Sequence, residues 1–395
     1  MDFFAMPAVT DVIDRVRERV RLFDDQYTLA LLAGVFTLLA VGAFVGWLLR
    51  RQPDTSINPA MIKLFNQRIV AWWAMFATLI FSVVVGRPLV VILFFLVSFW
   101  ALREFITMTP TRLADHRTLF WTFFVITPLQ YFFVFVGNTY AWWFNLGPEG
   151  DLYGLYSIFI PVYCSLLIPA RMALAGDPKR FLERFAKVQS GLMICVYALS
   201  HAPALLDLHL MTWNSESGAY VKYEGSPSGL LFYFIILVQV SDVCHYLANK
   251  IFTRHVIAPS INGSRTWEGL LVGTLATALA GLSLWWVTPF TLAGSACMAL
   301  IISLMGFCGT MVMSAVKRDR GVRDYGTLVR GHVGVLDRID SICFAAPVFY
   351  HLTRFFLSPS AGMLQRATPP AVPPVPPAAE ESAISSLTML VQALC

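Results

Sequence analysis

One charged stretch, residues 314–341, is the part of this chain whose residue types and spacing could do chemistry. It reads SAVKRDRGVRDYGTLVRGHVGVLDRIDS and mixes six basic side chains with four aspartates, four glycines and one histidine. Basic side chains in this number suit phosphate groups, and carboxylates spaced among them suit a divalent metal ion that bridges those phosphates. The stretch therefore predicts a site for a phosphate compound bound together with a metal ion.

The stretch begins at the end of one predicted helix and finishes in the next. Ser314, Lys317 and Arg318 fall about one turn apart, so they share a helix face. Taken alone, the two basic residues would be explained as cations that snorkel to a membrane surface. The pattern continues, however, with further charged residues and a histidine among glycines: Arg323, Asp324, His332, Asp337, Arg338 and Asp340. The last two aspartates project from one helical face, near a helix N-terminus that would favour a metal-bound triphosphate.

A second candidate stretch is VSDVCHYLANKIFTRHVIAPSINGSRTWEG, residues 240–269. Asp242 lies near the end of an apolar helix, where an ionisable group is costly and by default marks a site. The alternative is a structural ion pair with Lys250 or Arg254. Asn262, Gly263 and Ser264 predict a turn whose backbone N–H groups could receive a phosphate. Glu268, close to the start of the next helix, has an ordinary explanation in the helix dipole.

Composition decides which elements must position these residues. The 395-residue chain is 57% hydrophobic and 13% charged, which excludes ordinary soluble domains. Apolar runs of about 20 residues, enough to cross a bilayer, recur along it. They are apolar all round, so they predict helices rather than the alternating strands of a barrel. We expect an all-α, polytopic transmembrane helical bundle of about ten transmembrane helices: Thr28 to Leu49, Ile69 to Val85, Pro88 to Leu102, Leu119 to Val136, Leu152 to Ile168, Val188 to Leu206, Gly229 to Leu247, Gly269 to Val287, Phe290 to Met313 and Ile342 to Phe356.

The distribution of Lys and Arg predicts the orientation. The loops around residues 171–187 and 250–265, and the stretch 314–341, are rich in basic residues, whereas the loops between them are poor, so the positive-inside rule puts all three in the cytoplasm. With ten helices the basic run Arg15 to Arg21 falls on the other side, which breaks the rule. Either the helix count differs by one near the N-terminus, or the amphipathic helix predicted there overrides the bias. We expect an integral membrane protein of the bacterial inner (plasma) membrane, with its active site facing the cytoplasm.

Two further features limit the function. The seven cysteines lie mostly in apolar runs without metal-ligand spacing, so we interpret them as small hydrophobic residues. The net charge of +5 is concentrated in loops, which favours membrane orientation and phosphate binding and predicts no nucleic acid partner.

Both candidate stretches resemble the CDP-diacylglycerol synthases, also called phosphatidate cytidylyltransferases. The signature of that family reads Ser, two residues, Lys-Arg, four residues, Lys-Asp, a Pro-Gly-His-Gly-Gly turn and Asp-Arg-x-Asp. This chain has, without gaps, Ser314, Lys317-Arg318, Arg323-Asp324, Arg330-Gly331-His332-Val333-Gly334 and Asp337-Arg338-Ile339-Asp340. Upstream, it has Asp242 with Tyr246, Ala258-Pro259 and Thr266-Trp267-Glu268-Gly269 in the family's order. Glu104 is similar to an acidic position of the family, although the resemblance is specific only from Val240 to Phe356.

The resemblance implies transfer of CMP from CTP to phosphatidic acid, which gives CDP-diacylglycerol and pyrophosphate. The expected cofactor is Mg²⁺, and the expected partners are CTP, phosphatidic acid and membrane lipids, with a homodimer left open. The implied catalytic residues are Asp242, Asp324, Asp337, Ser314 and His332, of which Asp242, Asp324 and Asp337 would bind the metal. The implied substrate-binding residues are Lys250, Arg265, Glu268, Lys317, Arg318, Arg323, Arg338 and Asp340.

The implied organisation has four parts: an N-terminal amphipathic helix (residues 1–27), an N-terminal transmembrane region (28–239), a catalytic transmembrane region with two cytoplasmic loops (240–358), and a proline-rich tail (359–395) that we expect to be disordered.

The chain also departs from the family's pattern. Arg323 replaces Lys, Arg330 replaces Pro, Val333 replaces Gly, and Thr310 stands where the family has an acidic residue. If that acid is a metal ligand, the site has one carboxylate fewer. Two alternatives therefore stay open: a CTP-dependent enzyme acting on another membrane lipid, and a non-catalytic lipid-binding paralogue, for which Thr310 and Val333 are the best evidence.

Overall fold

A computed structural model of the chain describes residues 25–51, 59–108, 112–137, 152–214, 219–322 and 334–358. Within these ranges it confirms an all-α membrane bundle of ten helices. They are α1 (Gln26–Arg50), α2 (Pro59–Val85), α3 (Arg87–Thr107), α4 (Leu113–Val136), α5 (Tyr153–Ala173), α6 (Phe181–Asp207), α7 (Pro227–Ile251), α8 (Trp267–Ser283), α9 (Leu292–Asp319) and α10 (Leu336–Leu357). Each overlaps one predicted span, and seven are long and apolar enough to cross a membrane.

Two parts of the predicted organisation lie outside the residues that the structure describes. The predicted amphipathic helix falls almost wholly on residues 1–24 and the proline-rich tail on residues 359–395, and both lie outside the described ranges. The conflict between Arg15 to Arg21 and the positive-inside rule also lies there. The start of α1 is nevertheless fixed, because the Asp25 carboxylate accepts a hydrogen bond from the backbone N–H of Ser226, 3.0 Å away, just before α7. Helices α1 and α7 therefore begin at the same end of the bundle.

Two short antiparallel hairpins join helices. Strand β1 (Met211–Asn214) pairs with β2 (Ala219–Lys222) between α6 and α7, and β3 (Val256–Ala258) pairs with β4 (Asn262–Thr266) between α7 and α8. The prediction of a turn at Asn262–Ser264 is wrong, because those residues begin β4. The reversal lies just upstream, where Pro259 follows β3 and the N–H of Ile261 donates to the carbonyl oxygen of Ala258 at 3.0 Å.

Three of the helices, α4, α5 and α6, contain π-helical turns, at Thr122–Ile126, Phe159–Cys164 and Leu192–Ala198. Such turns disturb the backbone hydrogen-bond ladder, so polar groups must be satisfied in another way inside a membrane. In α6 a side chain of α3 contributes, because the Ser98 hydroxyl donates to the carbonyl oxygen of Cys195 at 2.6 Å. This contact joins α3 to α6 in the middle of the bundle.

A buried ion pair ties the start of α3 to the end of α6. One residue, Gly86 with a φ of 133°, separates α2 from α3, so the predicted break at this point is a single-residue connection. Arg87 follows it and lies 3.0 Å from Asp207, with the two side chains 6% and 13% exposed. The Arg87 guanidinium also donates to the carbonyl oxygen of Val134 at 2.6 Å, which brings in α4.

We expect Asp207→Asn to destabilise the bundle by about 3 kcal/mol, because it leaves the Arg87 cation buried without its carboxylate. Thermal unfolding in detergent measures the effect. Asp319→Asn is the matched control, since Asp319 is 65% exposed and should change stability little. Equal melting temperatures for the two variants would contradict the role of this pair.

Candidate functional site

The candidate site lies where the C-terminal ends of α7 and α9 meet the start of α10. The hydroxyl of Ser341 on α10 donates to Oδ1 of Asp242 on α7 at 2.8 Å. The backbone N–H of Ser341 donates to Oδ1 of the neighbouring Asp340, also at 2.8 Å. The structure thus brings together two predicted site residues, Asp242 and Asp340, whose charges interact.

Polar contacts of residues that neighbour Asp242 in the sequence fix the position of α7. Ser241 donates to the hydroxyl of Ser303 on α9 at 2.8 Å, and Nε2 of His245 lies 2.9 Å from the same oxygen. All three side chains are buried. Because Ser241 and His245 flank Asp242 in the sequence, their bonds to α9 fix the rotation of α7 about its axis, and that rotation directs Asp242 towards α10.

Helices α9 and α10 pack closely beside the site. A Cβ atom at Gly309 would lie 2.7 Å from the carbonyl oxygen of Asp340, a distance that a side chain could not occupy. About two turns further along α9, the Lys317 ammonium donates to Oδ1 of Asp337 at 2.8 Å, with the two side chains 20% and 7% exposed. Two residues predicted to bind phosphate and metal are therefore paired with each other.

Other predicted site residues form hydrogen bonds between the β3–β4 hairpin and α9. Ser314 is buried; it accepts a hydrogen bond from the amide of Asn262 at 3.2 Å and donates to the carbonyl oxygen of Thr310 at 2.7 Å. Nε of Arg318 donates to the carbonyl oxygen of Ile261 at 3.2 Å. Since residues 310, 314 and 318 follow one another by a helical turn, the hairpin lies along one face of α9.

Arg265 on β4 supplies a positive charge to the acidic cluster. Its guanidinium interacts electrostatically with Asp242 and Asp340 and lies 5.7 Å from the centre of the Phe307 ring. Burial lowers the pKa of Arg265, while the two carboxylates act in the opposite direction. The predicted alternative, an ion pair of Asp242 with Lys250 or Arg254, is wrong for this conformation: these three residues are all described, and no such pair is formed.

The remaining predicted residues have other surroundings. Lys250 is exposed, 5.2 Å from the centre of the Tyr246 ring, and Glu268 binds the ring and the backbone N–H of His255, so the contacts of both lie outside the Asp242–Asp340 cluster. Arg338 is half-buried in the first turn of α10. Three predicted residues, Arg323, Asp324 and His332, lie outside the described ranges.

The donor atoms of the cluster suit a hard cation. Carboxylates of Asp242 and Asp340 and hydroxyls of Ser341 and Thr310 offer oxygen only, and oxygen is the ligand that Mg²⁺ prefers. Among the described residues, no group of three or more His, Cys, Asp and Glu side chains is close enough to hold a metal ion. The predicted ligand set includes Asp324, which is not described, and therefore stays a prediction.

Glu104, at the end of α3, caps the first turn of α10. Its carboxylate accepts hydrogen bonds from the backbone N–H groups of Val335 at 3.0 Å and Leu336 at 2.9 Å. No side chain at the N-cap of α10 itself does this. A negative charge at a helix N-terminus stabilises the unpaired N–H groups and the helix dipole. The sequence marked Glu104 only as an acidic position, because its partners lie more than 200 residues away in the chain.

Two residues of the site, Ser341 and Thr310, have contacts that the sequence does not predict. Ser341 follows the last residue of the signature, and that adjacency is the only sequence signal for it. The sequence indicates only that Thr310 replaces an acidic residue of the family. The structure shows that its hydroxyl lies 3.3 Å from that of Ser341. Its position is therefore within the cluster, as expected for the residue that replaces the acid.

Comparison with known proteins identifies the family of the chain. The chain matches the model of the cytidylyltransferase family from residue 66 to residue 356, which spans all the elements of the site. The chain belongs to the cytidylyltransferase family. It is therefore related to nucleotidyltransferases that are integral to membranes.

Individual relatives of this chain differ in how much of it they cover. It is 33% identical over 328 residues to the uncharacterized protein YnbB of Escherichia coli, across 82% of the chain and 97% of that relative. It is 35% identical to the phosphatidate cytidylyltransferase of Mycobacterium leprae over 134 residues, across 33% of the chain and 42% of the relative. The enzyme of Staphylococcus aureus is 34% identical over 133 residues, across 32% and 50%. The chain thus spans about half or less of the relatives whose reaction is named.

We expect Glu104→Gln to loosen the start of α10, because the neutral amide keeps one acceptor where the carboxylate offers two. Loss of a cap costs about 1 kcal/mol, so the amides of Val335 and Leu336 should exchange with deuterium roughly fivefold faster. Hydrogen exchange read by mass spectrometry measures this. Glu224→Gln, at an exposed position just before α7, should leave those amides unchanged. Unaltered exchange in the Glu104 variant would contradict the cap.

Proposed function

We propose that this cytidylyltransferase transfers CMP from CTP to phosphatidic acid. A phosphate oxygen of the lipid attacks the α-phosphorus of CTP, the bond from that phosphorus to the bridging oxygen of the β-phosphate breaks, and pyrophosphate leaves. The products are CDP-diacylglycerol and pyrophosphate. The single observation that carries the proposal is the joining of Asp242 to Asp340 through Ser341, beside Arg265, at the end of a membrane bundle.

The position of the cluster suits a reaction between a lipid and a soluble polyanion. One substrate stays in the bilayer and the other arrives from water, so the reacting groups must meet at the ends of helices. Nucleotidyl transfer depends mainly on positioning and on neutralising charge that develops on phosphate oxygens. A protein site for it needs cations and carboxylates in place, and needs no covalent nucleophile.

The proposed roles follow from the donor groups. Asp242 and Asp340 would hold Mg²⁺, together with Asp324 and Asp337 as the sequence predicts, and the ion would neutralise phosphate oxygens when bound. Arg265 and Lys317 would bind phosphate groups, along with the other predicted basic residues Arg318, Arg323 and Arg338. Ser314 and His332 would orient phosphate oxygens. This site would face the cytoplasm from the bacterial inner membrane, because the basic loops lie on its side.

A second candidate is a CTP-dependent enzyme that acts on another membrane lipid. The observation that favours it is the coverage of the comparisons: the named phosphatidate cytidylyltransferases match about a third of this chain, whereas YnbB matches 82% of it. The acceptor lipid could therefore differ while the nucleotide site is shared. Assays with phosphatidic acid and with an isoprenoid phosphate in parallel would separate the two.

We expect purified protein in detergent to form CDP-diacylglycerol from labelled CTP, Mg²⁺ and phosphatidic acid. Asp242→Asn should lower the rate by more than about 100-fold, since even outer partners of metal sites cost about 10- to 100-fold. Asp319→Asn, which changes an exposed aspartate on α9, should keep the rate. Absence of the CDP-lipid above the Asp242→Asn level would refute the proposed reaction.

We expect Thr310→Asp to raise activity if a missing carboxylate limits the rate. The Thr310 hydroxyl is 3.3 Å from that of Ser341, which binds Asp242, so the new carboxylate would join the cluster. The Mg²⁺ concentration for half-maximal rate should fall on the order of tenfold. Thr310→Asn, of equal size and no charge, is the control. Equal or lower activity of Thr310→Asp would indicate that the site uses other ligands instead.

A further inference from the structure

We propose that Ser341 is a positioning residue that fixes Asp242 and Asp340 in one geometry for a divalent cation. The inference rests on the proposed function, in which these two carboxylates hold the ion. Ser341 itself need not touch the metal or the substrates. It acts by holding two side chains, one from α7 and one from α10, through hydrogen bonds to both, beside the charge of Arg265.

Ser341 is built to make two hydrogen bonds at once. It is 1% exposed, so its polar groups have no access to solvent. Its O–H donates to Oδ1 of Asp242 and its N–H donates to Oδ1 of Asp340, both at 2.8 Å. One residue thus contacts both carboxylates, and each bond leaves the other oxygen of that carboxylate available to a ligand.

The direction of the hydroxyl separates Ser341 from those hydroxyl residues of the bundle that bond within their own helix. Ser and Thr side chains in helices commonly donate to a carbonyl oxygen one turn earlier in their own helix. Ser82, Ser165 and Ser314 all do so here, at 2.7 to 2.8 Å. Ser341 instead donates to a carboxylate on another helix, 99 residues away in the sequence. A hydroxyl that needed only a hydrogen-bond acceptor could have used the nearer carbonyl oxygen in its own helix.

The surroundings of Ser341 hold the hydroxyl in this direction. A Cβ atom at Gly306 would lie 3.4 Å from the Cβ of Ser341, so α9 is in contact with it on one side. The Thr310 hydroxyl lies 3.3 Å from its oxygen and 3.2 Å from the carbonyl oxygen of Gly306, so it can donate to either acceptor while the Ser341 proton goes to Asp242. Two carboxylates with like charge repel each other, and these fixed donors keep both in place before a cation arrives.

The experiment compares Ser341→Ala with Ser341→Thr, which keeps a hydroxyl. Ser295→Ala is the matched control, because Ser295 is fully buried, donates to the carbonyl oxygen of Gly281 at 2.8 Å and lies near the other end of α9. For each full-length protein in detergent, Mn²⁺ binding is titrated by electron paramagnetic resonance. The rate of CDP-lipid formation is measured against Mg²⁺ concentration, and the melting temperature is recorded.

We expect Ser341→Ala to weaken Mn²⁺ binding, and to raise the half-maximal Mg²⁺ concentration, by about 10- to 100-fold, with a melting temperature close to that of Ser295→Ala. Ser341→Thr should recover most of the binding, and Ser295→Ala should bind as the wild type does. Wild-type Mn²⁺ binding by Ser341→Ala, or no recovery in Ser341→Thr, would overturn the inference.

The design separates this inference from the proposed reaction. If the wild-type protein binds Mn²⁺ but forms no CDP-lipid, the proposed reaction fails, and the Mn²⁺ titrations of the variants still decide the role of Ser341. If the wild-type protein binds no Mn²⁺, Ser341 has no cation to serve and the inference falls as well.

Discussion

The close packing of α9 against α10 is the constraint on which the candidate site depends. Gly309 allows the backbone of α10 to approach α9 to a distance at which any side chain would collide with the carbonyl of Asp340. Small residues permit this contact in membrane bundles, where dispersion and polar contacts replace the hydrophobic effect between helices. The same contact brings Lys317 to Asp337 and Thr310 to Ser341, so the charged groups lie where the helix backbones put them.

Burying a charged group near the membrane costs free energy. At this site, partners from several elements offset that cost. Asp242 has the Ser341 hydroxyl and the charge of Arg265, Asp337 has Lys317, and the start of α10 has Glu104. Such pairing offsets part of the free-energy cost of burying these carboxylates. A cluster of this kind offers the oxygen ligands that a divalent cation such as Mg²⁺ prefers.

The N-terminal half of the chain contributes contacts that position the elements of the site. Glu104 on α3 holds the first turn of α10, and Arg320 at the end of α9 lies 3.8 Å from Glu183 on α6. These contacts join the two halves at the end of the bundle that carries the acidic cluster. The family match, which runs from residue 66 to residue 356, agrees with a site that needs both halves.

The sequence by itself determined the ten helices and the class of chemistry, because hydropathy and residue type are local properties that each segment carries alone. It also predicted Asp242 and Asp340 as site residues and Thr310 as a changed position. Only the tertiary structure decided the partners: Asp242 with Ser341, Lys317 with Asp337, and Glu104 with the start of α10. It also showed that the turn of the β3–β4 hairpin lies before Asn262 and not at Asn262–Ser264. The physical reason is that several acid and base pairings satisfy the same charges, and the rotation and spacing of packed helices select one of them.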